Sequence, residues 1–135
     1  MKEVHQADLA YEQTKSFMRA IQELGTARST NVGHGGRRTC HDESQVVQYF
    51  EGIRELLLSM AEHGYDSRKA PPLGLAVGRD GTLIKEKHGH HRLAAAQVLG
   101  LDAIPFAVLT VHTQWLLHRF DVFRTYPDAL RDALE

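Results

Sequence analysis

Gly89, His90, His91 and Arg92 stand in a row and form the densest group of chemically useful side chains in the sequence. A glycine lets the backbone turn and lets a ligand come close, because no Cβ blocks the approach. Imidazole N–H groups donate hydrogen bonds, and a guanidinium presents a planar fork that matches two phosphate oxygens. HRLAAAQVLG, beginning at His91, reads as a short helix, so the set falls where backbone N–H groups already carry partial positive charge. These residue types in this order suit a phosphate group at a helix N-terminus. Polar residues also gather at helix starts for local reasons, and Arg92 could pair with an acid, so spacing leaves both readings open.

His88, His90 and His91 have a metal-like spacing, with His34, His41 or His112 as conceivable completions. A closed zinc site wants four ligands, however, and adjacent histidines at a helix start diverge, so no metal ligand is assigned. The stretch GHGGRRTCH, residues 33–41, has glycines that let N–H groups converge and two arginines, Arg37 and Arg38. It could be a second anion-binding loop folding over a nucleotide, or a surface loop, and it lacks the Gly-Lys-Ser/Thr ending of a P-loop. Cys40 reads as structural. Trp115 reads as core rather than as a platform for a purine.

The elements that position these residues follow from periodicity and punctuation. DLAYEQTKSFMRAIQELG predicts a helix with Asp8 as N-cap and Gly25 as stop. The polar segment after it predicts a loop. DESQVVQYFEGIRELLLSMAEHG predicts a long amphipathic helix, with Val46, Val47, Phe50, Ile53, Leu57, Met60 and Ala61 on its apolar face. Asp42 and Gln45 resemble a capping box, and Gly64 suits the C′ position. LGLAVG and TLIKEK predict two strands joined by RDG, a hairpin turn. A helix ending at Gly100, a buried strand in IPFAVLTV and a last helix interrupted before Pro127 complete the order. In that last helix Trp115, Leu116, Phe120 and Phe123 could cap the core or form a partner surface. The fold class expected is a small mixed α/β (α+β) domain with helices at both ends.

Whole-chain properties narrow the function. The 135 residues fit one domain, and 42% hydrophobic with 24% charged residues is globular composition. A net charge of −1 advertises neither a nucleic-acid nor a membrane surface, although protonation of nine histidines near pH 6 would add positive charge. One cysteine excludes a disulfide framework within the chain and fits a reducing compartment. No apolar run reaches the ~20 residues of a membrane span, and the start has no signal-peptide core, so a cytoplasmic protein is expected.

The stretch GHHRLAAAQVLGLDAIPFAVL resembles the second box of the ParB/sulfiredoxin-like family, a Gly-x-x-Arg turn, an alanine-containing helix, a Leu-Gly and an Ile-Pro entering a strand. LLLSMAEHGYDSRKAPPLGLAV is similar to that family's first box, with Ser59, Met60, Gly64 and Pro72 in matching places. The resemblance is strongest over residues 43–111, with a somewhat longer loop between Gly64 and Pro72. Sulfiredoxins carry a cysteine where this chain has His90, which removes the thiol chemistry. ParB partition proteins carry Gly-Glu-Arg-Arg, bind CTP and continue into a DNA-reading region. The variant nearest to this chain is the Asp-Gly-His-His-Arg of free serine kinases, matched by Gly89, His90, His91 and Arg92 but with His88 in place of the aspartate. An imidazole can hold phosphate but is a poor Mg²⁺ ligand.

The resemblance implies a nucleotide-binding phosphotransferase that uses ATP or another nucleoside triphosphate, with Mg²⁺, to phosphorylate a small hydroxyl-bearing molecule. Gly89, His90, His91 and Arg92 would bind phosphate. Glu43 and His88 are the candidate catalytic residues, a hydroxyl acceptor needing a group to take its proton, with Asp42 beside Glu43 a candidate by the same position; helix capping and dipole complementarity account for Asp42 and Glu43 better than catalysis does. The expected partners are a nucleotide and a small-molecule acceptor, with a homodimer as an assembly option and no nucleic-acid or membrane partner. Two other functions compete, a non-catalytic nucleotide-binding regulatory module and an accessory protein of a DNA-binding system.

Overall fold

The computed structural model describes residues 1–86 and 89–125, so His88 and Pro127 lie outside the described residues, as do the side chains of Phe120 and Phe123. The protein is a mixed α/β structure with helices at both ends, and its contacts gather in two compact units, each made of two chain segments.

The first unit comprises Met1–Ala70 and His90–Ile104. It contains α1 (Lys2–Gln6), α2 (Lys15–Thr26), the strands β1 (Thr30–Val32) and β2 (Arg38–Cys40), α3 (Glu43–His63) and α4 (His90–Leu99). The helix expected from Asp8 begins only at Lys15, and a separate helix, α1, precedes Asp8. Asp8 and Leu9 adopt φ of 50° and 66°, a left-handed pair that ends α1, and a 3-10 turn at Tyr11–Gln13 follows. Thr14, not Asp8, caps α2, its hydroxyl accepting from the Phe17 N–H at 3.2 Å. Gly25 does not stop that helix, which runs to Thr26.

The segment expected to be a loop pairs as an antiparallel hairpin, with Thr30 opposite Cys40 and Val32 opposite Arg38. Gly33, Gly35 and Gly36 all take positive φ, 87°, 65° and 64°, so the glycines make the tight connection between these short strands. Val32 and Cys40 are buried and tie the hairpin to the core.

The long helix α3 is the spine of this unit. The Asp42 carboxylate accepts from the Gln45 N–H at 2.9 Å, and the Gln45 amide oxygen accepts from the His41 N–H at 2.9 Å. Val46, Phe50, Ile53, Leu57 and Met60 are buried, whereas Val47 is half-buried and Ala61 exposed, so the apolar stripe is narrower than expected. Tyr11 and Phe17 pack on Phe50, at ring centroids of 6.0 and 5.3 Å. Ala95 and Ala96 of α4 are buried in the same core, where small side chains permit close approach between helices. Gly100, at φ 66°, ends α4, and the Leu101 N–H returns to the Ala96 carbonyl at 3.0 Å.

The second unit comprises Pro71–Gly89 and Pro105–Glu135. It contains β3 (Leu73–Val77), β4 (Leu83–Lys85), β5 (Phe106–Val111) and α5 (Thr113–Thr125), with strand order β4-β3-β5. The expected hairpin forms: β3 and β4 are antiparallel, and the Gly78 N–H donates to the Thr82 carbonyl at 2.8 Å. Gly81 has φ 91°, and a Cβ there would stand 2.8 Å from Trp115 Nε1, so the buried tryptophan seals the turn. β5 runs parallel to β3 with a register shift beside Leu75. A buried strand is expected here, but Phe106 and Leu109 are exposed at 40% and 57%, and β5 is an edge strand paired only with β3.

Candidate functional site

The α4 N-terminus is where the sequence placed the chemistry. Gly89 has φ 75°, the left-handed conformation that a tight turn asks of glycine, and α4 begins at the next residue. His90 and His91 are exposed on its first turn, and Arg92 is half-buried. The backbone therefore presents N–H groups, two imidazoles and a guanidinium within one helical turn, a donor-rich arrangement.

Arg92 is oriented by a residue that the sequence reading missed. Its Nη1 donates to the Tyr65 hydroxyl, and its guanidinium carbon lies 5.5 Å from the centre of the Tyr65 ring. One side chain thus supplies both an acceptor and an aromatic face to the cation. Both residues border a small cleft of ≈ 60 Å³, with Leu56, Ser59, Met60, Gly64, Asp66, Lys69 and Ala70. Lys69 adds a second cation there and Asp66 a carboxylate. That volume suits a group of phosphate size and is far below the ~300 Å³ at which drug-sized pockets begin. Asp66 accepts from Arg68 Nε and Nη2 at 3.0 and 3.1 Å and from the Arg68 N–H at 2.9 Å. The Arg68 side chain, first, and its backbone N–H hold the Asp66 carboxyl below the usual carboxylate range.

Glu43 is placed elsewhere. It is exposed at the start of α3 and borders a broad open groove of ≈ 740 Å³ with Ser44, Val47, Gln48, Glu51, Gly52 and Glu55. None of these residues borders the Arg92 cleft. Leu56, the first α3 residue of that cleft, stands about 20 Å along the helix from Glu43 at about 1.5 Å per residue. His88 lies outside the described residues. Among the described residues no three His, Cys, Asp or Glu side chains stand together as a metal-binding group. For the Mg²⁺ that a kinase would use, the cleft offers one carboxylate, so the remaining ligands would be phosphate oxygens and water.

The glycine loop is brought to α4 by Tyr49 of α3. Its ring lies 6.2 Å from the His91 ring, and the Arg38 guanidinium carbon lies 5.7 Å from its centre. A Cβ on Gly33 would sit 3.2 Å from the Tyr49 hydroxyl. Burial raises the Tyr49 phenol above its ordinary value, opposed by the positive charge of Arg38. The ring also borders a cavity of ≈ 140 Å³ with Ser16, Arg19 and Val32. Neither tyrosine is marked in the sequence, because their partners, Arg92 for Tyr65 and Arg38 and His91 for Tyr49, are distant in the chain and no local spacing joins them.

Cys40 is fully buried, as a structural cysteine should be, and Trp115 is in the core at 7% exposure. No helix among the described residues is long and apolar enough to cross a membrane. No protein-family model, no curated protein and no solved structure matches this chain.

Proposed function

We propose that the protein is a cytoplasmic nucleotide-binding phosphotransferase of ParB/sulfiredoxin-like type, which uses ATP to phosphorylate a small hydroxyl-bearing molecule. The observation that carries this reading is the guanidinium of Arg92, held by the Tyr65 hydroxyl and ring at the start of α4 beside a phosphate-sized cleft. The glycine turn before it and the Gly-His-His-Arg resemblance support the same reading. Arg92 and Lys69 would neutralise phosphate charge while α4 offers its first N–H groups.

In the reaction, the acceptor hydroxyl oxygen forms a bond to the γ-phosphorus and the bond to the β-phosphate oxygen breaks, releasing ADP. The hydroxyl proton passes to a carboxylate. Asp66 is the carboxylate that borders the cleft, and it would have to release Arg68 to take that proton, whereas Glu43 stands elsewhere on α3. Phosphoryl transfer draws most of its acceleration from positioning and charge neutralisation, which these cations supply. Mg²⁺ would enter bound to the nucleotide.

The test is release of ADP from ATP by the purified protein in the presence of pooled small hydroxyl compounds. Acceptor-dependent turnover that Arg92→Ala lowers at least about a hundredfold is the expected result, the scale of losing an electrostatic group at a transferring phosphoryl. Turnover indifferent to Arg92 refutes the assignment. A second reading, a regulatory module that binds nucleotide without turning it over, is favoured by the engagement of the one cleft carboxylate with Arg68. It predicts saturable nucleotide binding and no ADP.

A further inference from the structure

The turn between β1 and β2 contains two arginines that the proposed phosphate site does not use. Arg37 and Arg38 are both exposed, and neither has a carboxylate partner among the described residues. Arg38 is held by the Tyr49 ring, at 5.7 Å, and its Nη2 reaches the Gln48 amide oxygen at 3.5 Å. His91, the residue before Arg92, meets the same Tyr49 ring edge-on at 6.2 Å. One aromatic ring on α3 therefore gathers a guanidinium from the hairpin and an imidazole from the α4 N-terminus. Gly33 lies beside the Tyr49 hydroxyl, where a Cβ would stand at 3.2 Å, in a conformation, φ 87°, that other residues adopt only under strain. The turn itself is closed by the Gly36 N–H, which donates to the Gly33 carbonyl at 3.1 Å.

We propose that Arg38, positioned by Tyr49, is a second cationic anchor for anions beyond Arg92, so that the protein selects polyphosphates, such as nucleoside di- and triphosphates, over monophosphates. This rests on the reading of the α4 N-terminus as a phosphate site and deepens it. A single phosphate satisfies Arg92 and the first turn of α4, whereas a chain of phosphates extends its charge to Arg38 at Tyr49. Guanidinium suits this place because it stacks on an aromatic face while its edge N–H groups remain available to oxygen.

The test is calorimetric titration of wild type, Arg38→Ala and Arg38→Lys with ATP, AMP and inorganic tripolyphosphate. Arg38 is exposed, so the fold tolerates the change, and an unchanged melting midpoint verifies it. The expected result is a loss of about tenfold or more in Arg38→Ala for ATP and tripolyphosphate, with AMP changed less than about twofold, as removal of one charge-assisted contact predicts. Arg38→Lys should recover only part, since it keeps the charge and loses the stacking fork. Wild-type affinity of Arg38→Ala for ATP, or an equal loss for ATP and AMP, overturns the inference while leaving the nucleotide reading intact. Arg38-dependent binding of tripolyphosphate without binding of ATP supports the polyphosphate anchor and refutes the nucleotide reading. Binding of neither ligand by the wild type overturns both.

Discussion

A half-buried guanidinium is useful as an anion anchor only if its direction is fixed, and Tyr65 fixes that of Arg92 through a hydroxyl acceptor and a ring face. Tyr65→Phe keeps the ring and removes the acceptor. It should weaken ATP binding by about fivefold, the equivalent of one hydrogen bond of ~1 kcal/mol, while Arg92→Ala removes saturable binding; titration of both variants checks this. A second residue-scale expectation concerns Thr14, which caps α2 and whose hydroxyl also donates to the Tyr11 carbonyl at 2.7 Å. Thr14→Ala should cost about 1–2 kcal/mol of stability in chemical denaturation. The sequence pointed to Arg92 correctly as a helix-start residue because glycine, polar turn and apolar run are adjacent. It pointed to Asp8 wrongly as a cap, since Asp8 and Thr14 are both good capping types and only the left-handed break at Asp8–Leu9 decides between them.

Elements with their own punctuation were readable, and elements that depend on distant partners were not. The β3–β4 hairpin follows from Asp80-Gly81, and α3 from its apolar period bounded by Asp42 and Gly64. The β1–β2 hairpin was hidden because strands of three residues carry no period, and what fixes them is burial of Val32 and Cys40 against the helices. β5 was readable as a strand but not as an edge, since a run of apolar residues says nothing of how many neighbours a strand will have. At this scale Gly81→Ala is the informative change. The new Cβ meets the Trp115 indole at 2.8 Å, and alanine resists φ 91°, so the thermal midpoint should fall, with a loss of about 1–3 kcal/mol.

Across the whole molecule, acid should weaken the fold. Hydrogen bonds from Ser44 to Asp42, from Arg68 to Asp66 and from Thr82 to Asp80 hold these carboxyl groups below their ordinary value. Groups whose folded pKa is depressed contribute stability that is complete above the unfolded value, about 4, and is lost as pH falls through the folded values. Thermal midpoints should therefore be lower at pH 3 than at pH 5; a midpoint rising with acid would reverse that sign. The near-neutral charge, −1 over 135 residues, gives no whole-surface attraction to a polyanion, so any nucleotide affinity must come from local groups. That makes a single titration decisive. ATP added to the purified protein, with Mg²⁺ and without it, should give a saturable heat that Arg92→Ala abolishes at an unchanged melting midpoint. A flat baseline from folded wild-type protein, or identical isotherms for wild type and Arg92→Ala, would contradict the account.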